Sequence, residues 1–305
     1  MKHQLGFIGL GRMGKNMVLH LLENHVSIVG YNRTRGVTEG FVKEASSASF
    51  LPAYDIPSLV GSLDSPRVVF LMVPNGQAVD DMIGQLVAGG MKKGDIIIDG
   101  GNCYYKDSVR RASELGQKGI HFIDCGTSGG LEGARNGACL MVGGEKHIVD
   151  SLSWFWEAAS TPGGFAHFGP SGSGHFVKMV HNGVEYGMNQ AIGEGFEILS
   201  KGPYHLDHAK VAENWTHGSV VRGWLMELLA NAMKHDPGLN DYTGVVGGGQ
   251  TGGWTIEAAK EFDVEASVLS DSVVAREKSR LNPTFAGKVV SALRAGYGGH
   301  KEPSK

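Results

Sequence analysis

The sequence predicts a mixed α/β protein: a doubly wound sheet domain over residues 1–169, then an all-helical domain over residues 170–305. Three observations carry this. Short, continuously apolar runs alternate with helix-length segments through the first half, the pattern of parallel strands covered on both faces. A G-x-G-x-x-G stretch, Gly9 to Gly14, follows the first run and opens a helix. After Phe165–Phe168 the strand-like runs stop and only helical spacing remains. Together these make the first domain a Rossmann-type dinucleotide-binding domain.

The apolar runs expected as strands are Gln4–Gly9, Val26–Tyr31, Val68–Val73, Ile96–Asp99, Ile120–Cys125, Cys139–Val142 and Phe165–Phe168. The stretch from Gly36 to Asp64 reads as a helix and a weak strand. Pro170-Ser171-Gly172-Ser173-Gly174 leads into a long helical pattern reaching about Ser200, followed by helices at Leu206–Trp215, Val220–His235, Thr255–Phe262, Ala266–Leu281 and Phe285–Ala295.

Composition narrows the class of partner. Across 305 residues the chain is 41% hydrophobic and 19% charged, with a formal charge of −3, so no clustered positive charge argues for nucleic acid or an anionic membrane. The 47 glycines point to tight turns and close backbone approaches. Small polar ligands are the better expectation. Cys103, Cys125 and Cys139 match neither a disulfide framework nor a zinc pattern, which suits a reducing cytoplasm. The apolar stretch Leu5–Leu10 is too short and too glycine-broken for a signal-peptide core or a membrane span. None of the 13 histidines lies in a recognisable metal-ligand pattern, so no metal is expected.

Gly9-Leu10-Gly11-Arg12-Met13-Gly14 has the context that a pyrophosphate site needs. The glycines permit a tight turn and bring a phosphate close to amides at the positive end of a helix. The next strand ends in Tyr31-Asn32-Arg33-Thr34-Arg35, where an NAD site usually presents an acidic residue to the ribose hydroxyls. Asn32 stands there instead. An uncharged amide followed by Arg33 and Thr34 accepts a ribose phosphate that a carboxylate would repel, which favours NADP over NAD. Val73, at the end of a third run, and Asn102 complete the residues expected to face the cofactor.

The run His175 to Gly187, HFVKMVHNGVEYG, places Lys178, Asn182 and Glu185 at i, i+4 and i+7. On a helix they share one stripe, with Lys178 and Glu185 about 10 Å apart along the axis at ~1.5 Å per residue. Oxidation of an alcohol needs a base for the hydroxyl proton. A lysine serves if burial or nearby positive charge lowers its pKa, and Asn182 can hold the same hydroxyl. An ordinary solvated stripe would be richer in Glu and Lys pairs than this one, with His181, Tyr186 and its glycine-rich entry. Two loops at strand ends are candidates to meet this stripe. Asp99-Gly100-Gly101-Asn102 offers Asn102, and Cys125-Gly126-Thr127-Ser128-Gly129-Gly130 offers the Ser128 hydroxyl and exposed amides for a carboxylate.

Taken together, GLGRMGKN, YNRT, GQAVDD, DIIIDGGN, TSGGLEGARNG, GHFVKMVHNGVEYG and Gly252-Gly253-Trp254-Thr255 resemble the decarboxylating 6-phosphogluconate dehydrogenase family in its short form, from Gly6 to about His300. The resemblance implies that Lys178 is the base in oxidation and then the acid that polarises the keto oxygen, and that Glu185 protonates the enediol carbon to release ribulose 5-phosphate. It implies that Asn102, Ser128, Gly129, Gly130, His181 and Asn182 hold the sugar acid, and that Tyr186 and Arg276 hold its phosphate. Arg294 and His300 resemble a family tail that reaches into the partner subunit's site, which implies a homodimer or homotetramer.

The chain departs from the long form of the family at one place. Val245-Val246-Gly247-Gly248-Gly249-Gln250 has no lysine where long forms carry a phosphate-binding one, so unphosphorylated gluconate is a substrate to check. Two other readings compete. A non-decarboxylating β-hydroxyacid dehydrogenase, such as one for 3-hydroxyisobutyrate, shares the dinucleotide loop and the lysine but has no task for Glu185. A non-catalytic NADP-binding regulator needs neither Lys178 nor Glu185.

Overall fold

The computed structural model describes residues 4–303. Its first half holds β1 (Gln4–Ile8), β2 (Ser27–Tyr31), β3 (Phe50–Ala53), β4 (Val68–Leu71), β5 (Ile96–Asp99), β6 (His121–Ser128), β7 (Ala138–Gly143) and β8 (Ser160–Gly169) in one sheet of order β3-β2-β1-β4-β5-β6-β7-β8. Connecting helices are α1 (Arg12–Glu23), α2 (Arg35–Ala45), α3 (Ile56–Gly61), α4 (Gln77–Ala88), α5 (Tyr105–Gly116), α6 (Gly130–Asn136), α7 (Lys146–Ser151) and α8 (Ser153–Ala159). The strand order reverses between β1 and β4, and ligands of doubly wound sheets bind beyond the strand C-termini at such a point.

The continuous apolar runs mean what they were expected to mean. Successive side chains of a strand point to opposite faces. Leu5 and Phe7 enter one buried cluster and Ile8 the other; Phe70 joins the first, Val69 and Leu71 the second; Ile96 and Ile98 separate from Ile97 in the same way. Both faces of these central strands are therefore buried, while the edge strands β3 and β8 leave Leu51 and Phe168 exposed.

Two details depart from the sequence reading. The sheet is not parallel throughout, because β6 pairs antiparallel with β7, and β8 then runs parallel to β7. The cause is length. A parallel return needs a crossover of a dozen or more residues, whereas Ser128 and Ala138 are separated only by the short α6 and its flanking glycines. The stretch from Gly36 to Asp64 holds a further helix besides α2 and β3: α3, started by the Asp55 carboxylate accepting from the Ser58 amide at 2.7 Å, with a proline in its first turn.

The second half is helical, with α9 (Ser173–Lys201), α10 (His208–Thr216), α11 (Trp224–His235), α12 (Gln250–Glu261), α13 (Ser267–Ser279) and α14 (Phe285–Gly298). Phe196, Met226, Leu229, Met233, Leu239, Val289 and Leu293 form its core. By backbone contacts the chain divides into units of residues 1–179 and 180–305. The first turns of α9 belong to the sheet unit because their backbone is pressed onto it: a Cβ on Gly174 would stand 2.5 Å from the Met141 carbonyl and 2.7 Å from that of Asp124. Helix α11 starts at Trp224 and not at Val220, since Gly223, at φ 153°, breaks the helical backbone before it. Among the described residues no helix is long and apolar enough to cross a membrane.

Candidate active site

In the first unit, four loops, after β1, β4, β5 and β6, run side by side along the C-terminal edge of the sheet, with the end of β2 beside the first of them. The β1–α1 turn comes first. Gly9, at φ 102°, lies so close to β4 that a Cβ would meet the Met72 carbonyl at 2.2 Å, and a Cβ on Gly14 would meet the Gly9 carbonyl at 1.9 Å. Gly11, the residue before α1, has nothing within 4 Å of its Cβ position. Glycine thus packs the turn tightly on one side and leaves the helix N-terminus open on the other, where a pyrophosphate is favoured by the amides and the helix dipole. Leu10, Arg12 and Met13 fill the rest of this turn.

Asn32 ends β2 beside that turn. Its Oδ1 accepts from the Leu10 amide at 3.0 Å, its own amide donates to Thr38 Oγ1 at 3.1 Å, and its Nδ2 donates to the Thr34 carbonyl at 3.4 Å. The side chain therefore ties the segment after β2 to the β1–α1 turn. Arg33 and Thr34 are exposed just beyond it. Arg35 is held by Glu39 at 2.8 Å and lies over the Tyr54 ring at 4.4 Å.

The loops after β4 and β5 come next. Asn75 Nδ2 donates to the Asn102 carbonyl at 3.4 Å, and a Cβ on Gly101 would stand 3.2 Å from the Val73 carbonyl. The Gly101 amide donates to the buried Asp99 carboxylate at 3.1 Å. Arg111 is buried beside it, 3.5 Å from Asp99 and 2.8 Å from Asp80, so the loop carrying Asn102 rests on a charge-paired base. Burial and the adjacent Asp99 push the Cys103 thiol well above its ordinary range, which makes it unreactive.

The fourth loop joins this row to α9. Thr127 Oγ1 donates to the Gly100 carbonyl at 3.3 Å, and Ser128, Gly129 and Gly130 follow, the two glycines at φ 113° and 60°. Just before them, a Cβ on Gly126 would stand 2.3 Å from Lys178 Cβ, so only glycine lets the lysine lie against the end of β6. Lys178 is 6% exposed. The Asp124 carboxylate fixes the start of its helix by accepting from the amides of Gly172 at 2.6 Å and His175 at 2.8 Å, while the buried pair Ser108 Oγ and His175 Nδ1 lie 2.7 Å apart. Negative charge at a helix N-terminus is favourable there.

In the second unit, Asn182 is buried and lies 3.2 Å from His181 Nδ1 through its Oδ1. Glu185 Oε1 accepts from the Tyr297 hydroxyl at 2.6 Å and from Asn189 Nδ2 at 3.3 Å. Helix α9 is continuous through residues 178, 182 and 185, which places those positions within about 60° of one another at ~100° per residue.

A basic cluster follows one residue on. The Arg276 guanidinium lies over the Tyr186 ring at 3.2 Å, and the Tyr186 hydroxyl is 3.3 Å from Thr251 Oγ1. Gly252 makes room, since a Cβ there would strike the Tyr186 ring at 2.5 Å. Arg276 Nη1 donates to the Gly247 carbonyl at 3.5 Å, and its Nη2 is buried with no hydrogen-bond partner among the described residues. Arg294 is also buried, with its Nη2 3.1 Å from the Cβ position of Gly248. Burial first, and the like charge of Arg294 as well, depress the pKa of Arg276. Two desolvated guanidiniums beside glycine amides and a hydroxyl form a socket for a multiply charged anion. They also bring positive charge to the loop that lacks a lysine.

The C-terminal segment braces that loop. Glu302 accepts from the Thr243 amide at 2.8 Å, the Thr243 hydroxyl at 2.7 Å and the Gly244 amide at 2.9 Å, and Pro303 lies against Gly247. His300 is exposed, its ring 6.0 Å from that of Tyr297.

Asp124, Gly126, Asn189, Tyr297 and Glu302 did not emerge as site residues from the sequence. Asn189 was findable, since it continues the i, i+4, i+7 stripe one turn past Glu185. Tyr297 lies inside the tail stretch Arg294 to His300, but its partner is 112 residues away.

Residues 4–166 match the NAD binding domain of 6-phosphogluconate dehydrogenase, and residues 174–289 its C-terminal domain. The NAD(+)-dependent, decarboxylating 6-phosphogluconate dehydrogenase of Haloferax volcanii is 41% identical over 304 residues, 99% of each chain. The NADP(+)-dependent, decarboxylating enzyme of Bacillus subtilis is 39% identical over 90% of this chain and 61% of its own. The 6-phosphogluconate dehydrogenase of Plasmodium falciparum, solved as the apo form and in complexes with NADP+ and with 6-phosphogluconate, superposes with a TM-score of 0.82 at 30% identity, covering 96% of this chain and 70% of its own. The chain belongs to the 6-phosphogluconate dehydrogenase family.

Proposed function

We propose that this chain is a metal-independent enzyme that converts 6-phospho-D-gluconate to D-ribulose 5-phosphate and CO2, with residues 1–169 binding the dinucleotide and residues 170–305 binding substrate. The observation that carries the reading is the Nη2 of Arg276, buried and without a hydrogen-bond partner among the described residues, beside Arg294, Tyr186 and Thr251. Such a group calls for an anion, and 6-phosphogluconate brings a phosphate besides the carboxylate held at Gly129 and Gly130, a second anionic group that 3-hydroxyisobutyrate and unphosphorylated gluconate lack.

The nicotinamide dinucleotide, held by Gly9 to Gly14, Asn32, Arg33, Thr34, Val73 and Asn102, supplies the hydride acceptor. Lys178, buried against Gly126, takes the proton of the hydroxyl on C3 as the C–H bond of that carbon is broken. The product is a ketone β to the carboxylate. Lys178 returns its proton toward the keto oxygen, which draws the electron pair of the breaking C–CO2 bond into an enediol. Glu185 then gives a proton to the carbon that CO2 has left, and Lys178 receives the enediol hydroxyl proton as the ketone forms. Asn182, His181, Asn102 and Ser128 hold hydroxyls, and the amides at Gly129 and Gly130 hold the carboxylate.

Cofactor preference and assembly belong to the same proposal. Arg33 and Thr34 beside an uncharged Asn32 favour NADP over NAD. The family tail supports a homodimer or homotetramer in which Arg294 and His300 complete a neighbouring site. Within one chain Arg294 lies in the socket beside Gly248, which favours the alternative of an unshared site, and mixing Lys178→Ala subunits with Arg294→Ala subunits separates the two: restored turnover requires a shared site.

The deciding experiment crosses 6-phosphogluconate and gluconate with NADP and NAD while measuring CO2 per reduced cofactor. One CO2 per hydride from 6-phosphogluconate is expected. Oxidation without CO2 would move the chain to the non-decarboxylating β-hydroxyacid dehydrogenases, and cofactor binding without turnover would make it a regulator.

A further inference from the structure

Glu185 does not stand alone on its helix. The Tyr297 hydroxyl donates to its Oε1 at 2.6 Å, and Asn189 Nδ2 reaches both that oxygen and the Tyr297 hydroxyl at 3.3 Å each. Two donors therefore converge on a single carboxylate oxygen. Asn189 is itself fully buried, so the triad is held from a side that water does not reach.

A carboxyl group transferring a proton to carbon has two oxygens that can carry it. An oxygen already accepting from two donors is a poor place for a proton, because protonating it forfeits their electrostatic gain. We propose that Tyr297 is a positioning residue which, with Asn189, occupies Oε1 of Glu185 and leaves Oε2 as the oxygen that delivers the proton to the substrate carbon. This rests on Glu185 being the acid of the reaction. It gives the phenol a task that the aromatic ring alone cannot perform.

The surroundings make the phenol the donor toward Glu185, while its oxygen accepts from Asn189 Nδ2. Burial, then the Glu185 charge, raise the Tyr297 pKa well above its ordinary value, against the opposing pull of Arg276 and Arg294. The groups facing it are thus Glu185 and Asn189 on α9, Arg276 on α13, and Arg294 and His300 on α14 and the tail, with the Trp224 ring of α11 also nearby. At any pH compatible with the folded protein the hydroxyl keeps its hydrogen, and the bond to Oε1 runs from Tyr297 to Glu185.

The final protonation is read in reverse by exchange of the C1 hydrogen of ribulose 5-phosphate with D2O on the enzyme holding reduced cofactor. There Glu185 acts as a carboxylate, removing the proton while Lys178 protonates the ketone oxygen to give the enediol. Hydride transfer is read separately from the first turnover of 6-phosphogluconate. Tyr297→Phe keeps the ring and removes the donor. It is expected to slow exchange about tenfold, the size of one hydrogen bond to a charged group, with less than about a twofold change in hydride transfer.

Exchange and hydride transfer falling together, or exchange left unchanged, would overturn the proposal. Glu185→Gln distinguishes the underlying reading. If it abolishes exchange while Tyr297→Phe does not slow exchange selectively, only the role of Tyr297 fails; if it retains exchange, Glu185 is not the acid and the inference about Tyr297 falls with it.

Discussion

The guanidinium of Arg276 lies 3.2 Å above the ring of Tyr186, and both side chains are buried. A cation stacked on an aromatic face is oriented in its plane, so its outer nitrogens point at a defined place and not at an average one. That place is bordered by Arg294, the glycines at 247 and 248, and Thr251.

The stacking predicts a substrate-selective defect. Arg276→Lys keeps the charge but loses the planar fork, and should lower kcat/KM for 6-phosphogluconate by about 10- to 100-fold, from the 1.5–3 kcal/mol typical of charge-assisted hydrogen bonds. Residual gluconate turnover should change little. Steady-state kinetics on both substrates check this; equal losses on the two would mean that Arg276 supports the fold and not a phosphate.

Gly126 is a second point at which a small change has a large consequence. Its Cβ position lies 2.3 Å from Cβ of Lys178, and the next contact is the same side chain at 2.8 Å. Since the clash is at the root of the lysine and not at its flexible end, Gly126→Ala must displace the α9 backbone or the end of β6. A misplacement near 1 Å at a reacting group costs on the order of 100-fold. We expect a loss in kcat of at least about that size, with dinucleotide affinity, measured by fluorescence quenching, nearly unchanged.

Much of this arrangement was visible in the sequence because it is local. The spacing of Gly9, Gly11 and Gly14, and of Lys178, Asn182 and Glu185, follows from helix and turn periodicities that need no knowledge of the rest of the chain. The position of Asn32 could be read too, but not that its Oδ1 is committed to the Leu10 amide. What could not be read depends on pairs far apart in the chain. Glu185 and Tyr297 are 112 residues apart, and Thr243 and Glu302 are 59 apart, so no periodic signal links them. The antiparallel turn into β7 was hidden for a different reason: an apolar run indicates burial on both faces but not strand direction.

The Asn32 contact sharpens the cofactor prediction. Aspartate has the same shape and keeps an acceptor for the Leu10 amide, giving up only the 3.4 Å bond to the Thr34 carbonyl, so Asn32→Asp should keep the tie to the β1–α1 turn while placing negative charge where a ribose phosphate would sit. Like-charge juxtaposition of this kind costs several kcal/mol. The ratio of kcat/KM for NADP over NAD should fall by about 100-fold, mainly through a weaker NADP. An unchanged ratio would show that the segment 32–34 does not face the ribose.

Glu302 gives a prediction for stability with a definite pH sign. Burial alone would raise its carboxyl pKa, but the bonds from the Thr243 amide and hydroxyl and the Gly244 amide outweigh that and hold it below the usual carboxylate value. A group whose folded-state pKa is depressed adds stability above its unfolded-state pKa and loses that contribution as pH falls through the folded-state value. Glu302→Gln retains the size of the side chain but offers one acceptor oxygen and no charge. Near neutral pH its Tm should lie about 2–4 °C below that of the parent, and the two should converge as pH drops below the usual carboxylate range. Because Pro303 lies against Gly247 and Arg276 bonds to the Gly247 carbonyl, the same substitution should raise KM for 6-phosphogluconate with little change in kcat: the brace sets the anion socket and not the reacting groups. A Tm gap that persists unchanged at low pH would assign the stabilisation to packing of the tail and not to the carboxylate.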